Sequence, residues 1–332
     1  VFTGLAIGLV QSSFTKMQVD FSWFPQYGAR EGLPFLVIII AMVVMGEGLP
    51  DRGSVDTWKL PAVPTAKVTA LNVSIPVAVA VIGLLTLGPL WRGAIMTTLI
   101  SMVLALSLVV LTGFGGQTSL AQMAFAGVAG FALSKIATDW GVPFPFAPLL
   151  AATIAMVFGV VVGLPALRVR GTNLAIITLA GGVAINEFVF KNPKYVGDAS
   201  TGGAKVPNPK LGPWDLGLIL GDQASRPVFG ILLVGIGLIV ALAVANLRRS
   251  GSGRRMIATM SNERAAAALG ISVFRTKIQV FAISSFVACL AGCMIAYRFG
   301  SVSDASFGTI ASLTALAVAY LGGITCVSGA VT

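Results

Sequence analysis

The chain has 332 residues, of which 56% are hydrophobic and only 10% are charged. A soluble domain carries about 25% charged residues, so this chain cannot cover a water-facing surface and lipid must be its main solvent. The formal net charge is +10, but the basic residues lie in loops beside apolar spans. Positive-inside topology therefore explains the charge better than binding to nucleic acid does. The chain has no histidine, which excludes Ser/His/Asp and Cys/His catalytic sets.

The first seventy residues are predicted to hold two apolar stretches and a linker. Residues 1–10 are typical of the end of a membrane helix, and residues 33–45 form a second apolar span. Residues 54–70 are polar, contain two prolines, and are predicted to be a cytoplasmic linker. The chain begins inside an apolar run without a methionine, so we expect a piece of a longer protein.

Eight further apolar spans follow the linker, and none alternates with a period of two. Spans of this length and composition predict transmembrane helices, so the fold class is an all-α, polytopic transmembrane bundle. The predicted spans are 71–90, 95–111, 119–136, 146–167, 174–190, 228–245, 278–297 and 307–321.

The stretch 246–277 separates two of these spans and carries seven basic residues against one acid. Its middle predicts a short helix, because Ser261 or Asn262 can cap the start, Glu263 suits the first turn and Gly270 can close the end. A helix of about eight residues spans only ~12 Å and cannot cross a bilayer. We expect it on the cytoplasmic face.

The direction of the other loops follows from alternation. If 246–277 lies inside, the loop 191–226 lies outside, and it has five basic and three acidic residues. Trp91 and Arg92 then lie outside as well, whereas Arg168 and Arg170 lie inside. These two arginines fit an ordinary positive-inside boundary.

The turn between the second and third spans is rich in glycine and polar side chains. It contains Gly115, Gln117 and Ser119, and it interrupts apolar sequence. Non-helical backbone at membrane depth is tolerated only where protein or a water-filled cavity satisfies it. The pattern fits a broken helix near a translocation path and equally a tight interfacial turn with a serine cap.

Two further features lie within apolar spans. Glu187 is the one carboxylate predicted inside a span, either as a functional group or as an acid at the outer interface. Thr178 and Asn186 are polar residues of the same span. Cys289 and Cys293 are spaced i, i+4, which favours small residues packing one helix face over a metal pair.

Five stretches together resemble the permease subunits of branched-chain amino-acid ABC importers, the LivM type. They follow the order of the family from about residue 71 to the end of the chain. The matching stretches are the G-x-x-G-Q-x-S-L turn at 113–120, L-P-A-L-R-x-R-G at 164–171, the T-G-G…P loop at 201–207, the G-R-x-x-x-A…E-x-A-A-x-A-L-G-I loop at 253–271, and L-G-G at 321–323.

Residues 1–53 are similar to the end of the sister LivH-type permease, notably through GEGLPDRG at 46–53. The resemblance thus implies three parts. Residues 1–53 would end a first permease unit, residues 54–70 would link the units, and residues 71–332 would be a LivM-type unit with about eight membrane helices and a truncated C-terminus.

The resemblance implies a multi-pass permease of the bacterial plasma membrane with no ATPase site of its own. ATP and Mg would be bound by two partner ATP-binding subunits, so this chain would bind no cofactor. A second permease unit and an extracytoplasmic substrate-binding protein would complete the importer. The residues that would contact the ATP-binding subunit are Glu263, Arg264, Ala265, Ala266 and Gly270.

The solute path is expected near Gly115, Gln117, Ser119, Thr178 and Asn186. The expected solute is leucine, isoleucine or valine, with urea or short-chain amides as the alternative. An ion-coupled secondary transporter would need buried acids or histidines, and the sequence offers Glu187 alone. A passive channel or a membrane enzyme does not account for a capped basic helix between spans.

Overall fold

The computed structural model describes residue 40 and residues 70–164, 172–192, 203–211, 214–218 and 226–323. Eight apolar helices form the described bundle, and each coincides with a predicted span. They are α1 (Ala70–Thr86), α2 (Pro89–Leu108), α3 (Gln122–Thr138), α4 (Phe146–Gly163), α5 (Thr172–Ile185), α6 (Pro227–Arg249), α9 (Val273–Phe299) and α10 (Thr309–Gly322).

Two of these helices continue as π-helical turns. α2 runs on through Val109–Phe114, and α5 runs on through Asn186–Phe190. With its turn, α2 reaches 26 residues and, like α4, α6 and α9, is long and apolar enough to cross a membrane. Since lipid offers no hydrogen-bond partners, apolar segments of this kind satisfy their backbone groups as helices. The prediction of an all-α membrane bundle is confirmed.

Two short polar helices, α7 (Gly251–Ser261) and α8 (Glu263–Ala268), connect α6 to α9. The sequence predicted α8 but not α7. Two small antiparallel ribbons were also not predicted. One pairs β1 (Ala204–Lys205) with β4 (Ser301–Val302), and the other pairs β2 (Lys210–Leu211) with β3 (Trp214–Asp215).

α9 is the central helix of the bundle and packs against α2, α3 and α4. It runs parallel to α3, since the Cys289 thiol lies 3.4 Å from the Phe125 carbonyl oxygen and the Cys293 thiol lies 3.8 Å from that of Ala129. Both cysteines are buried. They pack one helix face, as their spacing predicted.

The bundle has two distinguishable ends. At one, the Arg298 guanidinium donates to the Gly93 carbonyl oxygen at 3.1 Å, and β1 pairs with β4 just after α9 ends. We call this the Arg298 end. The opposite end carries α7 and α8, and we call it the α8 end. Residues near 91 and the segment 203–211 thus lie at the same end of the bundle. Alternation of the spans predicted that these two loops share one side.

Several predictions fall outside the described residues. These concern the two apolar stretches before residue 54, the linker, and the boundary arginines Arg168 and Arg170.

Candidate coupling helix and translocation cavity

α8 begins at a side-chain cap. The Asn262 Oδ1 atom accepts hydrogen bonds from the backbone N–H groups of Arg264 and Ala265, both at 3.0 Å. Glu263 stands in the first turn, where its negative charge suits the positive end of the helix dipole. Of the two predicted caps Asn262 is therefore the one used, and the Ser261 hydroxyl donates back to Ile257 in α7 instead.

α8 ends in a Schellman motif. The Gly270 N–H donates to the Ala267 carbonyl oxygen and the Ile271 N–H donates to that of Ala266, both at 3.0 Å. Gly270 has φ +80°, a left-handed conformation that costs a residue with a Cβ atom about 1–2 kcal/mol. Both ends of this short helix are thus fixed by its sequence.

α8 exposes most of its surface. Ala266 is the buried residue of the helix, whereas Arg264 and Ala265 are exposed and Leu269, just after it, is 80% exposed. Glu263 Oε1 accepts from Lys277 Nζ at 2.7 Å, which ties α8 to the first turns of α9. A short helix held rigidly against α9, with an exposed face of small residues and a leucine, is suited to contact another protein.

α7 lies between α8 and a buried turn of the bundle. Its apolar side includes the buried Met256, and Met260 lies so close to Gly116 that a Cβ there would stand 2.9 Å from the Met260 Cγ atom. At the end of α6, the Arg248 guanidinium lies 5.9 Å from the centre of the Phe114 ring. α7 therefore connects α8 to the turn that follows α2 by direct contacts.

This buried turn, residues 115–121, lies inside the bundle. A Cβ atom at Gly115 would stand 2.4 Å from Val280, which is seven residues into α9, or roughly 10 Å along its axis. Gln117 is 5% exposed and Ser119 is 3% exposed. The turn is therefore buried within the protein, about two helical turns from the start of α9. The broken-helix interpretation stays a prediction.

Hydroxyl groups from two other helices satisfy the backbone of the turn and of the start of α3. Thr178 Oγ1 of α5 accepts from the Leu120 N–H at 3.1 Å, and Ser312 Oγ of α10 accepts from the Met123 N–H at 3.2 Å. Ser119 does not cap α3, because its hydroxyl accepts from the Ala121 N–H two residues on. The prediction that a serine of the turn caps α3 was therefore wrong. An N–H group in the first turn of α3 is bonded by a side chain from another helix instead.

Several buried polar atoms near the turn have no hydrogen-bond partner among the described residues. They are Nε2 and Oε1 of Gln117, Oε1 of Gln122 and Oγ of Ser285. Oδ1 of Asn186, in the π-helical turn after α5, also has no partner among the described residues. The Gln122 Nε2 atom does donate to Ser284 Oγ at 3.0 Å, and Ser284 donates to the Ser107 carbonyl oxygen. Unsatisfied buried groups are costly and call for a functional explanation.

A cavity of about 760 Å³ opens between α2, α3, α10 and the π-helical turn after α5. Of the residues predicted to lie near the solute path, Asn186 lines this cavity. The other four belong to the buried turn (Gly115, Gln117 and Ser119) or contact that turn (Thr178). The cavity is lined by Ser101, Leu104, Ala105, Met123, Asn186, Gly308, Ile310, Ala311, Thr314, Ala315 and Val318. The sequence prediction missed Ser101, Thr314 and the α10 face, since the lining comes from helices distant in the chain.

Glu187 is held by an ion pair. Its Oε1 atom accepts from Lys191 Nζ at 2.6 Å, one turn further along the chain. The Lys191 side chain is 46% exposed, which places the pair at a helix end. The interfacial interpretation of this acid therefore agrees with the structure.

Residues 90–332 match the family model described as branched-chain amino acid transport system / permease component. The chain belongs to this permease family. It is 31% identical over 244 residues to the high-affinity branched-chain amino acid transport system permease protein LivM of Escherichia coli (strain K12). A LivM of Salmonella typhimurium is equally similar, and each match covers 68% of this chain and 57% of the relative.

A shorter match, 36% identical over 111 residues, is to the xylose transport system permease protein XylH of Escherichia coli (strain K12). It covers 33% of this chain and 27% of that protein. No solved structure matches the chain. The chain spans little more than half the length of the LivM proteins. Family membership and the apolar helices make it a multi-pass protein of the bacterial inner membrane.

Proposed function

We propose that this chain is a transmembrane permease subunit of an ATP-driven importer for branched-chain amino acids. The observation that carries the proposal is α8, a helix capped at both ends, exposed on one face and tied to α9 by the ion pair between Glu263 and Lys277. Such a helix can receive a displacement from a partner and transmit it to a membrane helix without fraying.

The partner at the α8 end is an ATP-binding subunit, one of two in the complex. Ala265, Leu269 and the backbone at Gly270 form the contact surface, with Arg264 beside them. ATP and Mg are bound by those subunits, and this chain has no ATPase site of its own. A second permease unit, ending in the segment 1–53 of this chain, pairs with the unit formed by 71–332.

The opposite, Arg298 end receives the solute from an extracytoplasmic binding protein. Movement of α8 is transmitted through α7 to the buried turn that carries Gln117 and Ser119. The turn borders the solute path, because it holds buried polar atoms that have no partner among the described residues and that water or a solute can satisfy. Alternating access then follows from displacement of this turn and of α9.

The solute is leucine, isoleucine or valine, as the similarity to LivM suggests. Urea or a short-chain amide is the second candidate. The described residues that line the cavity include no charged group, so a small neutral solute also fits this lining.

The proposal is tested by reconstituting the full-length protein with its ATP-binding subunits, its second permease unit and its binding protein in liposomes. We expect uptake of radiolabelled leucine that requires ATP and persists when an ionophore collapses the membrane potential. Uptake that needs the potential but no ATP would contradict the proposal, and uptake of urea in place of leucine would support the second candidate.

The same liposomes test the role of α8 directly. Gly270→Val forces a β-branched residue into a left-handed conformation and should cost about 1–2 kcal/mol at the end of the helix. No atom lies within 4 Å of the new Cβ, so the protein should still insert. We expect ATP hydrolysis with little uptake, and normal uptake per ATP would remove α8 from the coupling pathway.

A further inference from the structure

A narrow apolar groove lies between α6 on one side and α4 and α9 on the other. α6 packs against α1 and α2, whereas α9 packs against α2, α3 and α4. The groove follows residues 229–240 of α6 and 290–297 of α9, and it has a volume of about 210 Å³. It therefore lies in the half of the bundle next to the Arg298 end, and it shares no lining residue with the cavity between α2, α3 and α10.

The described lining of the groove consists of aliphatic and aromatic side chains and one cysteine. Leu233, Cys293 and Met294 are buried and form its floor, whereas Leu149 and Ile239 at its sides are 47% and 68% exposed. These exposed side chains belong to the surface that the apolar helices α4 and α6 present to lipid. The groove is thus continuous with the lipid-facing surface, and its chemistry suits a hydrocarbon chain.

The length of the groove matches one leaflet of a bilayer. The segment 229–240 of α6 rises ~16 Å along the helix axis, and half of a hydrocarbon core of about 30 Å is ~15 Å. A volume of about 210 Å³ spread over this length is much narrower than an α-helix, which is about 10 Å across. A single flexible chain can therefore enter the groove, whereas a helix of a partner can only cover it.

The charge at the start of α6 suits the phosphate of a phospholipid. Arg226 immediately precedes α6 and lies one turn before Phe229, where the groove begins in that helix. Arg226 Nη1 donates to the Asp215 carbonyl oxygen at 3.1 Å, and the Asp215 carboxylate accepts from the Gly217 N–H at 2.8 Å. The guanidinium is therefore held near the mouth of the groove, where it and the positive end of the α6 dipole attract a negative group.

We propose that this groove binds one acyl chain of a phospholipid, with the phosphate beside Arg226 and the chain extending along α6 towards Ile239. A chain in this position fills the gap between α6 and α9 and makes the dispersion contacts that a void would forfeit. Ser250 ends α6 and caps α7, because its Oγ atom accepts from the Gly253 N–H at 3.2 Å. The bound lipid thus braces the helix that leads directly into α7. This site does not depend on which solute the protein transports.

The test measures how fast lipid leaves the groove of the purified importer complex. The complex is loaded with phosphatidylcholine that carries a diazirine in one acyl chain, and an excess of unlabelled phosphatidylcholine is then added. Illumination at successive times attaches the remaining labelled lipid, and mass spectrometry of peptides locates it. Val157 and Val161 of α4, which are 52% and 60% exposed and lie outside the groove, report on boundary lipid.

We expect label in the groove, at 229–240 and 290–297, to be lost more slowly than label at the two valines. The difference should be about fivefold, the factor that corresponds to roughly ten additional dispersion contacts.

Two substitutions fill the groove from opposite sides. Ile236→Trp on α6 and Leu149→Trp on α4 each place a large ring in it, and both positions are at least partly exposed. We expect either variant to lose label from the groove as fast as from the valines, and their places on different helices separate filling from misfolding. Ile231→Trp, at an exposed position of α6 outside the lining, is the matched control and should keep the slow loss.

The same experiment tests the position of the phosphate. Diacylglycerol has acyl chains but no phosphate, so as the unlabelled competitor it should displace label from the groove less than phosphatidylcholine does. Equal displacement by the two lipids would overturn the assignment of the phosphate to Arg226.

Four results would overturn the lipid site as a whole. They are equal rates of loss from the groove and from the valines, slow loss that both groove-filling variants retain, slow loss that the Ile231→Trp control also abolishes, and no label in the groove at all, as when a neighbouring helix of the complex covers it.

Discussion

At the scale of single residues, Gly292 of α9 lies directly against the backbone of α3. A Cβ atom at Gly292 would stand 2.0 Å from the Ala126 carbonyl oxygen, so no side-chain rotation can make room for it. Small residues that let helix backbones approach closely are a main source of packing between helices in lipid. The close packing of α3 against α9 therefore depends on glycine at position 292, because even the methyl group of alanine would not fit.

Gly292→Ala should force α3 and α9 apart and lower the stability of the detergent-solubilised protein by about 1–3 kcal/mol, the usual cost of overpacking. Gly235→Ala is the matched control, because a Cβ atom there meets nothing within 4 Å. The measurement is the thermal unfolding midpoint of both variants. A midpoint for Gly292→Ala equal to that of the control would show that α3 and α9 are not packed as described.

At the scale of elements, α8 is too short to be stable alone and depends on its caps. Asn262→Ala removes the acceptor for two N–H groups and should cost about 1 kcal/mol of helix stability. We expect a reduced amount of solute moved per ATP hydrolysed. Ser261→Ala, one residue earlier, removes a hydroxyl bonded within α7 and should leave this ratio unchanged. Equal effects of the two substitutions would contradict the assigned cap.

The sequence predicted those elements whose signals are local. The cap at Asn262 and the glycine end at Gly270 lie within one short stretch, and apolar length marks the eight membrane helices. α7 was missed because it begins with two glycines and two arginines, and its apolar residues, such as Met256 and Met260, fill only its second half. Their role is visible only against the turn at Gly116.

At the scale of the whole molecule, the depth of the buried turn and the position of the cavity could not be predicted. Depth depends on where α9 packs, and Val280 is more than 150 residues away from Gly115 in the chain. The cavity joins Asn186 to Thr314, which no local pattern connects. Long-range packing decides both, whereas the length and composition of the apolar spans were enough to predict a helix bundle.

In the described bundle, the buried turn separates the cavity from α7 and α8. The cavity opens on the Arg298 side of the turn, and α7 and α8 lie on the other side. The proposed function requires that α8 contact the ATP-binding subunit and not the membrane. Leu269, 80% exposed at the end of α8, is the residue best placed to report on that contact.

The most direct test places a photo-activated cross-linking amino acid at Leu269 of the intact importer in its membrane. Illumination should attach the chain to the ATP-binding subunit, and the same amino acid at Ile239, 68% exposed on α6, should not. Attachment from Leu269 to the extracytoplasmic binding protein, or to lipid alone, would contradict the account.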